Sequence, residues 1–354
     1  MLGLLKRTAF AVVVLGATVA LGETRLQGGG ATFPNPIYQR WVTEYQKAHP
    51  DVKIDYQSIG SGGGIKGITE KTFDFAGSDA PMSSKEIAAA QAAGGPVVHL
   101  PTVAGAVALA YNIPGFSGDL KLTGPIIADI YLGKITKWND PAIASINPGA
   151  KLPANDITPV YRTDGSGTNY IFTNFLITQS DEFKNKVGAG KQVQWPKGQG
   201  GKGSEGVSAA IQGTVGALGY VEMNYATANK IACASLKNKD GNFVKPSTKA
   251  ISASGAGAVG EMKDSLAVNI WNQPGSDSYP ISAFTYIIVY KDLGYLKDEA
   301  KARALVDFLT WATTDGQKLA EEMDYAPLAP AVTAKVLEAI KGLNFSGKNV
   351  AMSN

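Results

Sequence analysis

Two short segments of the sequence, Gly60-Ser61-Gly62 and Gly165-Ser166-Gly167-Thr168, share one local setting. Each follows residues typical of a β-strand and precedes apolar residues at helical spacing. Glycine lets a backbone approach a bound group closely, and the first turn of a helix has N–H groups without intrahelical partners. Serine and threonine add hydroxyl donors. The two segments therefore predict anion-binding helix N-termini, with ordinary loop and cap chemistry as the alternative.

The order of the elements favours a layered α/β structure, because strands and helices alternate along the chain. Apolar residues recur at helical spacing after the first glycine-rich stretch, and Ser83 with Glu86 forms a capping-box signature. The elements predicted in the first part of the chain are a helix over 35–47, a strand over 52–56, a helix over 65–71 and strands over 73–77, 96–100 and 104–111.

The N-terminus has the pattern of a secretory signal peptide. Lys6-Arg7 supplies its positive charge, and residues 8–21 form an apolar run too short to span a bilayer comfortably. We expect residues 1–22 to be removed, so that the mature chain begins at Glu23. A buried core helix is the alternative. A lipoprotein would need a cysteine at the cleavage site, and this chain has none there. The sequence therefore predicts a soluble exported protein, which in a bacterium means a periplasmic one.

The composition disfavours several classes of site. The chain has one cysteine, Cys233, and two histidines, His49 and His99, so neither a His/Cys metal site nor a Ser-His-Asp triad is expected. The formal charge of +3 falls to about +1 without the two basic leader residues, which leaves no basic surface for nucleic acid. We therefore expect no metal, no cofactor and no nucleic-acid partner.

Three charged residues indicate which anion would fit. Arg162 precedes the second loop, and its planar guanidinium suits a tetrahedral oxyanion that Asp164 would help to orient; a surface ion pair is the alternative. A carboxylate at Asp79 would repel an anion unless the ligand has a proton to donate. Phosphate has one near neutral pH and sulfate does not. Asp79 thus predicts selection for phosphate, unless it is only a turn residue before Pro81.

Around these residues the sequence resembles the periplasmic phosphate-binding proteins of phosphate-specific ABC transporters. The shared motifs occur in order over nearly the whole mature chain, and the one at 195–203 is interpreted as structural. They are Gly-Ala-Thr-Phe-Pro at 30–34, Ile-Gly-Ser-x-Gly-Gly at 59–64, Asp-Phe-x-x-Ser-Asp-Ala-Pro at 74–81, Tyr-Leu-Gly-Lys-Ile at 131–135, Arg-x-Asp-Gly-Ser-Gly-Thr at 162–168, Trp-Pro-x-Gly-x-Gly-Gly-Lys-Gly at 195–203 and Gly-Tyr-Val-Glu at 219–222.

The resemblance implies that hydroxyls, backbone amides and one guanidinium hold phosphate, while one carboxylate accepts its proton. Asp79 would be the carboxylate, and Arg162, held by Asp164, would be the guanidinium. The other donors would be Thr32, Phe33 through its backbone N–H, Ser61, Ser166, Gly167 and Thr168.

The resemblance also implies an α/β, two-lobed periplasmic-binding-protein fold of type II with two crossover strands between the lobes. One lobe would comprise residues 23–111 plus 281–354, and the other residues 112–280. Phosphate would bind between them, and the closed, monomeric protein would dock on an inner-membrane phosphate ABC permease. The resemblance implies no enzymatic activity.

Three other functions stay open from the residues alone. A secreted phosphate-handling enzyme would need a nucleophile with a base, or metal ligands, which the few His and Cys residues disfavour. A receptor for another oxyanion, such as sulfate or molybdate, would be hindered by Asp79. An adhesion or sensing protein could use the same fold without transport.

Overall fold

The structure, a computed structural model, describes residues 23–262 and 265–350. The predicted signal peptide, residues 1–22, lies outside the described residues. The strands are β1 (Thr24–Gly30), β2 (Val52–Ser58), β3 (Phe75–Ser78), β4 (Val97–Tyr111), β5 (Lys121–Leu122), β6 (Thr158–Arg162), β7 (Gln199–Gly201), β8 (Ala217–Glu222), β9 (Ala232–Cys233), β10 (Ser235–Lys237), β11 (Phe243–Val244), β12 (Ser282–Tyr290), β13 (Asn344–Phe345) and β14 (Lys348–Asn349).

Helices cover the sheet and connect its parallel strands. Three short 3₁₀ segments, Leu293–Leu296, Asp315–Leu319 and Glu321–Met323, lie near the C-terminal end. The α-helices are α1 (Asn35–Ala48), α2 (Ser61–Thr69), α3 (Ser84–Gly94), α4 (Gly124–Tyr131), α5 (Pro141–Ser145), α6 (Gly167–Ile177), α7 (Asp181–Lys186), α8 (Gly203–Gly213), α9 (Met223–Ala228), α10 (Thr248–Gly255), α11 (Ala258–Glu261), α12 (Glu299–Thr313) and α13 (Pro330–Lys341).

The main sheet contains two groups of parallel strands with antiparallel strands between them. Its order is β2-β1-β3-β12-β4-β8-β6-β7, with β9 beside β4. Parallel pairing joins β1 to β2 and β3, and it joins β6 to β7 and β8. Strand β12 is antiparallel to β3 and β4, and β4 is antiparallel to β8. Since parallel neighbours need long crossover connections, the helices between them follow from this pairing.

Strand β4 takes part in both groups. Its residues from Val97 to Ala106 pair with β12, and those from Val107 to Tyr111 pair with β8. The partner changes between Ala106 and Val107, beside the start of β12 at Ser282. The hydroxyl of Tyr279 donates to the carbonyl of Val107 at 3.1 Å, which ties the segment before β12 to this point.

The prediction of two strands over 96–100 and 104–111 was wrong, because the structure has the single strand β4. Pro101 lies opposite Tyr286 and Val103 lies opposite Thr285, so Thr102 is an extra residue on β4. A β-bulge of this kind accommodates a proline, which has no N–H to donate, without ending the strand.

The helix predicted over 35–47 is confirmed as α1, which buries Ile37, Trp41 and Tyr45 on one face. The start of the next helix was predicted wrongly, because α2 begins at Ser61 and its glycines are helical. A Cβ at Gly64 would lie 2.7 Å from the Cα of Gly30, so glycine lets this helix pack directly on the backbone of β1.

The capping box predicted before α3 is confirmed. The amide of Glu86 donates to Ser83 Oγ at 3.3 Å, and the amide of Ser83 donates to Glu86 Oε2 at 2.8 Å. Across residues 23–262 and 265–350, none of the helices has the length and apolar character needed to cross a bilayer.

Candidate anion-binding site

The first set of predicted residues lies where three parallel strands end at one edge of the sheet. Strands β2 and β3 are both in register with β1 at Gly30. Thr32 and Phe33 follow β1, Ser61 begins α2 after β2, and Asp79 follows β3. Because the carboxyl ends of neighbouring parallel strands share an edge, these residues are brought together.

The second set lies at the end of the other parallel group. Arg162 is the last residue of β6, and α6 begins at Gly167. Ser166 is the N-cap of α6, and its hydroxyl accepts a hydrogen bond from the amide of Asn169 at 3.0 Å. Thr168 lies in the first turn, where its hydroxyl accepts from Arg162 Nη1 at 3.4 Å.

The predicted ligand residues are all buried, with at most a few per cent of their surface exposed. Gly167 is also buried. The exposed fractions are 1% for Thr32, 0% for Phe33, 0% for Ser61, 2% for Asp79, 4% for Arg162, 0% for Ser166 and 1% for Thr168.

The two sets meet each other directly. The amide of Gly167 donates to Ser61 Oγ at 3.1 Å, and the amide of Gly62 donates to the carbonyl of Gly165 at 2.8 Å. Ser61 Oγ in turn donates to Asp79 Oδ2 at 3.4 Å. The N-termini of α2 and α6 therefore face one another, and their positive ends converge on the same buried polar residues.

Arg162 and Asp164 form a two-pronged ion pair. Arg162 Nε donates to Asp164 Oδ1 at 2.8 Å, and Nη2 donates to Oδ2 at 2.5 Å. Burial alone would raise the pKa of Asp164, but the hydrogen bond and charge of Arg162 hold it below its ordinary value. The amide of Arg162 donates to the Tyr220 hydroxyl at 2.9 Å. Asp164 thus orients the guanidinium, and Tyr220 holds the backbone that carries it.

Asp79 is a carboxyl group without a cationic hydrogen-bond partner. Burial raises its pKa to about 7, against the opposing effects of a hydrogen bond from Thr285 and the charge of Arg162. Thr285 Oγ1 donates to Asp79 Oδ1 at 2.8 Å, and the amide of Asp79 donates to Ser61 Oγ at 3.2 Å. Asp79 can therefore take up or release a proton near neutral pH.

A third helix N-terminus reaches the site, which the sequence reasoning missed. The loop at 195–203 was interpreted as structural, yet it leads into α8. Ser204 Oγ lies 2.8 Å from Thr32 Oγ1, and the amide of Ser204 donates to the same atom at 3.2 Å. The amide of Gly203 donates to Asp164 Oδ1 at 3.0 Å. The glycine-rich run before a helix was the available signal, because it repeats the pattern of the first two loops.

Neither histidine contributes to this site. Burial lowers the pKa of His99 to about 4, and its Nε2 accepts a hydrogen bond from the amide of Met82 at 3.1 Å. His49 stacks on Tyr45 with ring centroids 4.2 Å apart. Within the described part of the chain, no three or more His, Cys, Asp or Glu residues are grouped so that they could hold a metal ion.

The chain is similar to known phosphate-binding proteins over most of its length. The family model of the PBP superfamily domain matches residues 17–315. Phosphate-binding protein PstS of Pasteurella multocida is 43% identical over 334 residues, which cover 93% of this chain and 94% of that protein. Phosphate-binding protein PstS of Haemophilus influenzae is 39% identical over 333 residues, covering 94% and 97%.

A solved structure supports the same fold. The high affinity periplasmic phosphate-binding protein PfluDING, bound with phosphate at pH 8.5, matches with a TM-score of 0.70 at 22% identity, covering 88% of this chain and 93% of that one. The α/β fold is therefore the type II periplasmic-binding-protein fold, as predicted. The family consists of solute-binding transport proteins, so this chain is not an enzyme. It belongs to the phosphate-binding proteins of phosphate-specific ABC transporters.

Proposed function

We propose that this protein binds inorganic phosphate in the periplasm and delivers it to an ABC-type phosphate permease. The observation that carries the proposal is the meeting of the N-termini of α2 and α6 with Arg162 and Asp79 in one buried cluster. Helix N-termini and a guanidinium favour an anion. Membership in the family supports phosphate as that anion.

In the proposed complex, hydroxyls and backbone amides surround the phosphate oxygens, and Arg162, oriented by Asp164, supplies the positive charge. Because the site is closed to solvent, each of these hydrogen bonds acts in a low dielectric. The donors are Thr32, the backbone N–H of Phe33, Ser61, Ser166, Gly167 and Thr168.

Asp79 gives the site its selectivity in this proposal. As a carboxylate it accepts the remaining phosphate proton, whereas sulfate would place an unprotonated oxygen against it. Two acceptors that face each other in a buried site leave both without a hydrogen bond. The position of Asp79 Oδ2 beside Ser61 and its lack of a cationic hydrogen-bond partner support this role.

We further propose that phosphate lies between two lobes, residues 23–111 plus 281–354 and residues 112–280. The exchange of partners along β4 supports a crossover in this strand. Contacts between these two parts of the chain support a closed form: Lys191 Nζ lies 2.7 Å from Glu86 Oε1, and the amide of Gly167 donates to Ser61 Oγ at 3.1 Å. Ligand binding would favour this form through its additional contacts.

A larger side chain at Gly167 tests whether phosphate binds between the lobes. A Cβ added there would lie 2.4 Å from Ser61 Oγ and 2.5 Å from Asp79 Oδ2, so Gly167→Ala cannot close without displacing them. We expect phosphate affinity to fall roughly 5- to 150-fold, the effect of about 1–3 kcal/mol of overpacking. Isothermal titration measures the change.

The matched control is Gly213→Ala in α8, where an added Cβ meets no atom within 4 Å. This variant is expected to keep the affinity of the unmodified protein and to gain slight helix stability. Equal phosphate affinities for the two variants would contradict closure around Gly167.

Delivery requires a permease that distinguishes loaded protein from empty protein. We expect phosphate-loaded protein to raise ATP hydrolysis by a phosphate ABC permease in proteoliposomes, because the closed form presents both lobes in one fixed arrangement. The Gly167→Ala protein, kept saturated with phosphate, is expected to stimulate less. Stimulation that does not depend on phosphate would contradict ligand-gated delivery.

A further inference from the structure

The two oxygens of the Asp79 carboxyl group have different surroundings. Oδ1 accepts a hydrogen bond from Thr285 Oγ1 at 2.8 Å. Oδ2 points toward the facing helix N-termini, since it lies 3.4 Å from Ser61 Oγ and 2.5 Å from the place that a Cβ on Gly167 would take. The short hydrogen bond from Thr285 thus occupies the oxygen on the β12 side, while the oxygen toward the helix N-termini accepts the longer one from Ser61.

Thr285 is held in place by the β-bulge between β4 and β12. The ladder shifts register between Thr285 and Tyr286, and Thr102 is the extra residue opposite them. Thr102 Oγ1 donates to the carbonyl of Thr285 at 3.2 Å and lies 2.8 Å from the hydroxyl of Tyr38. Thr285 is 0% exposed, so its hydroxyl does not face bulk solvent. A bulge commonly redirects a side chain next to a functional site.

We propose that Thr285 is a positioning residue that reserves Asp79 Oδ2 for the ligand proton and thereby sets the pH range over which the protein rejects unprotonated oxyanions. This inference rests on the proposed function of the site. A threonine hydroxyl has a single hydrogen to donate, and here it is directed at the carboxylate. The hydrogen bond favours the ionised, accepting form of Asp79, which is the form that excludes sulfate.

Other ionisable groups act on Asp79 from the surrounding elements, and all of them are retained when only the Thr285 hydroxyl is removed. Burial raises the pKa of Asp79. The hydrogen bonds from Thr285 and Ser61 and the charge of Arg162 lower it, and the charge of Asp164 raises it. Groups from other elements that interact with it are Glu222, Tyr38, Tyr56, Tyr286 and Tyr325. A change of titration in a Thr285 variant therefore reports the lost hydroxyl.

Sulfate is a suitable probe, because it carries no proton between about pH 5.5 and 9 and so reports the state of Asp79 rather than its own titration. In the unmodified protein, sulfate binding should appear as the pH falls through about 7, where Asp79 becomes protonated and can donate. In Thr285→Val, which keeps the branched shape without the hydroxyl, the pKa of Asp79 rises. We expect the midpoint of sulfate binding to move up by about one to two pH units.

The experiment measures sulfate affinity against pH by isothermal titration for the full chain and its variants. Thr285→Ser retains the hydroxyl and is expected to restore the original midpoint. Asp79→Asn is expected to remove the pH dependence altogether. Thermal unfolding shows whether Thr285→Val is folded, and Thr285→Ala replaces it if it is not.

The inference is overturned if sulfate binding by folded Thr285→Val or Thr285→Ala has the same midpoint as in the unmodified protein. It is also overturned if Thr285→Ser behaves like Thr285→Val. Failure of the underlying function looks different: the unmodified protein would then not bind phosphate at any pH.

Discussion

Replacing Asp79 with asparagine is expected to lower the preference for phosphate over sulfate by about 10³-fold or more, since sites built around a required hydrogen bond discriminate by roughly 10⁴–10⁵. The amide nitrogen of the new side chain would donate to a sulfate oxygen, so the clash of two acceptors disappears. The carboxylate that accepts the phosphate proton is lost in the same step. Affinity for sulfate should therefore rise while affinity for phosphate falls.

The measurement is the ratio of the two dissociation constants, for Asp79→Asn and for the unmodified protein, at about pH 9, where Asp79 is ionised. Asp156→Asn is the matched control, because it makes the same chemical change at a side chain that is 78% exposed and paired with Lys137. Thermal unfolding of Asp79→Asn should show a smaller effect on stability than on selectivity, since asparagine can still accept the Thr285 hydrogen bond. An unchanged ratio would exclude Asp79 as the proton acceptor.

Replacing Arg162 with alanine is expected to weaken phosphate binding roughly 30- to 5,000-fold, the effect of about 2–5 kcal/mol when one partner of a buried charge pair is truncated. The side chain is 2% exposed, and it is the cation hydrogen-bonded to Asp164. Its loss removes the positive charge from the proposed phosphate site and leaves the Asp164 carboxyl without its guanidinium partner. Both effects oppose the binding of an anion.

Companion variants separate these effects. Arg162→Lys keeps the charge without the planar fork, so we expect an intermediate affinity. Arg162→Ala with Asp164→Asn removes the unpaired carboxyl as well, and should recover part of the loss. Arg40→Ala is the control, because Arg40 pairs with Glu44 on an exposed helix face. Phosphate affinity of Arg162→Ala equal to that of Arg40→Ala would contradict a role for the guanidinium.

Local sequence patterns predicted the parts of the site that depend on local geometry. The Gly-Ser segments form the starts of α2 and α6, because a tight approach and a cap are requirements that a few adjacent residues satisfy. The same locality explains the mistake at α2, where glycine is required by packing of the helix on Gly30 rather than by a loop. Two strands were predicted where β4 is continuous, because the bulge near Pro101 depends on the partner strand, which is distant in sequence.

The residues that sequence reasoning missed act over long distances along the chain. Thr285 lies 206 residues from Asp79, and Ser204 lies 172 residues from Thr32. A threonine inside an apolar strand carries no local signal of function, because it also fits any strand by its branched shape. Only the pairing of β12 with β3 and β4 brings its hydroxyl to the carboxylate.

The most direct test of the central claim is isothermal titration of the protein, freed of bound ligand, with phosphate and then with sulfate at about pH 9, where Asp79 is ionised and phosphate still carries one proton. The account predicts tight binding of one phosphate per chain and no measurable binding of sulfate. Comparable binding of sulfate, or no binding of either anion, would contradict it, because the facing helix N-termini, Arg162 and Asp79 would then hold a different ligand.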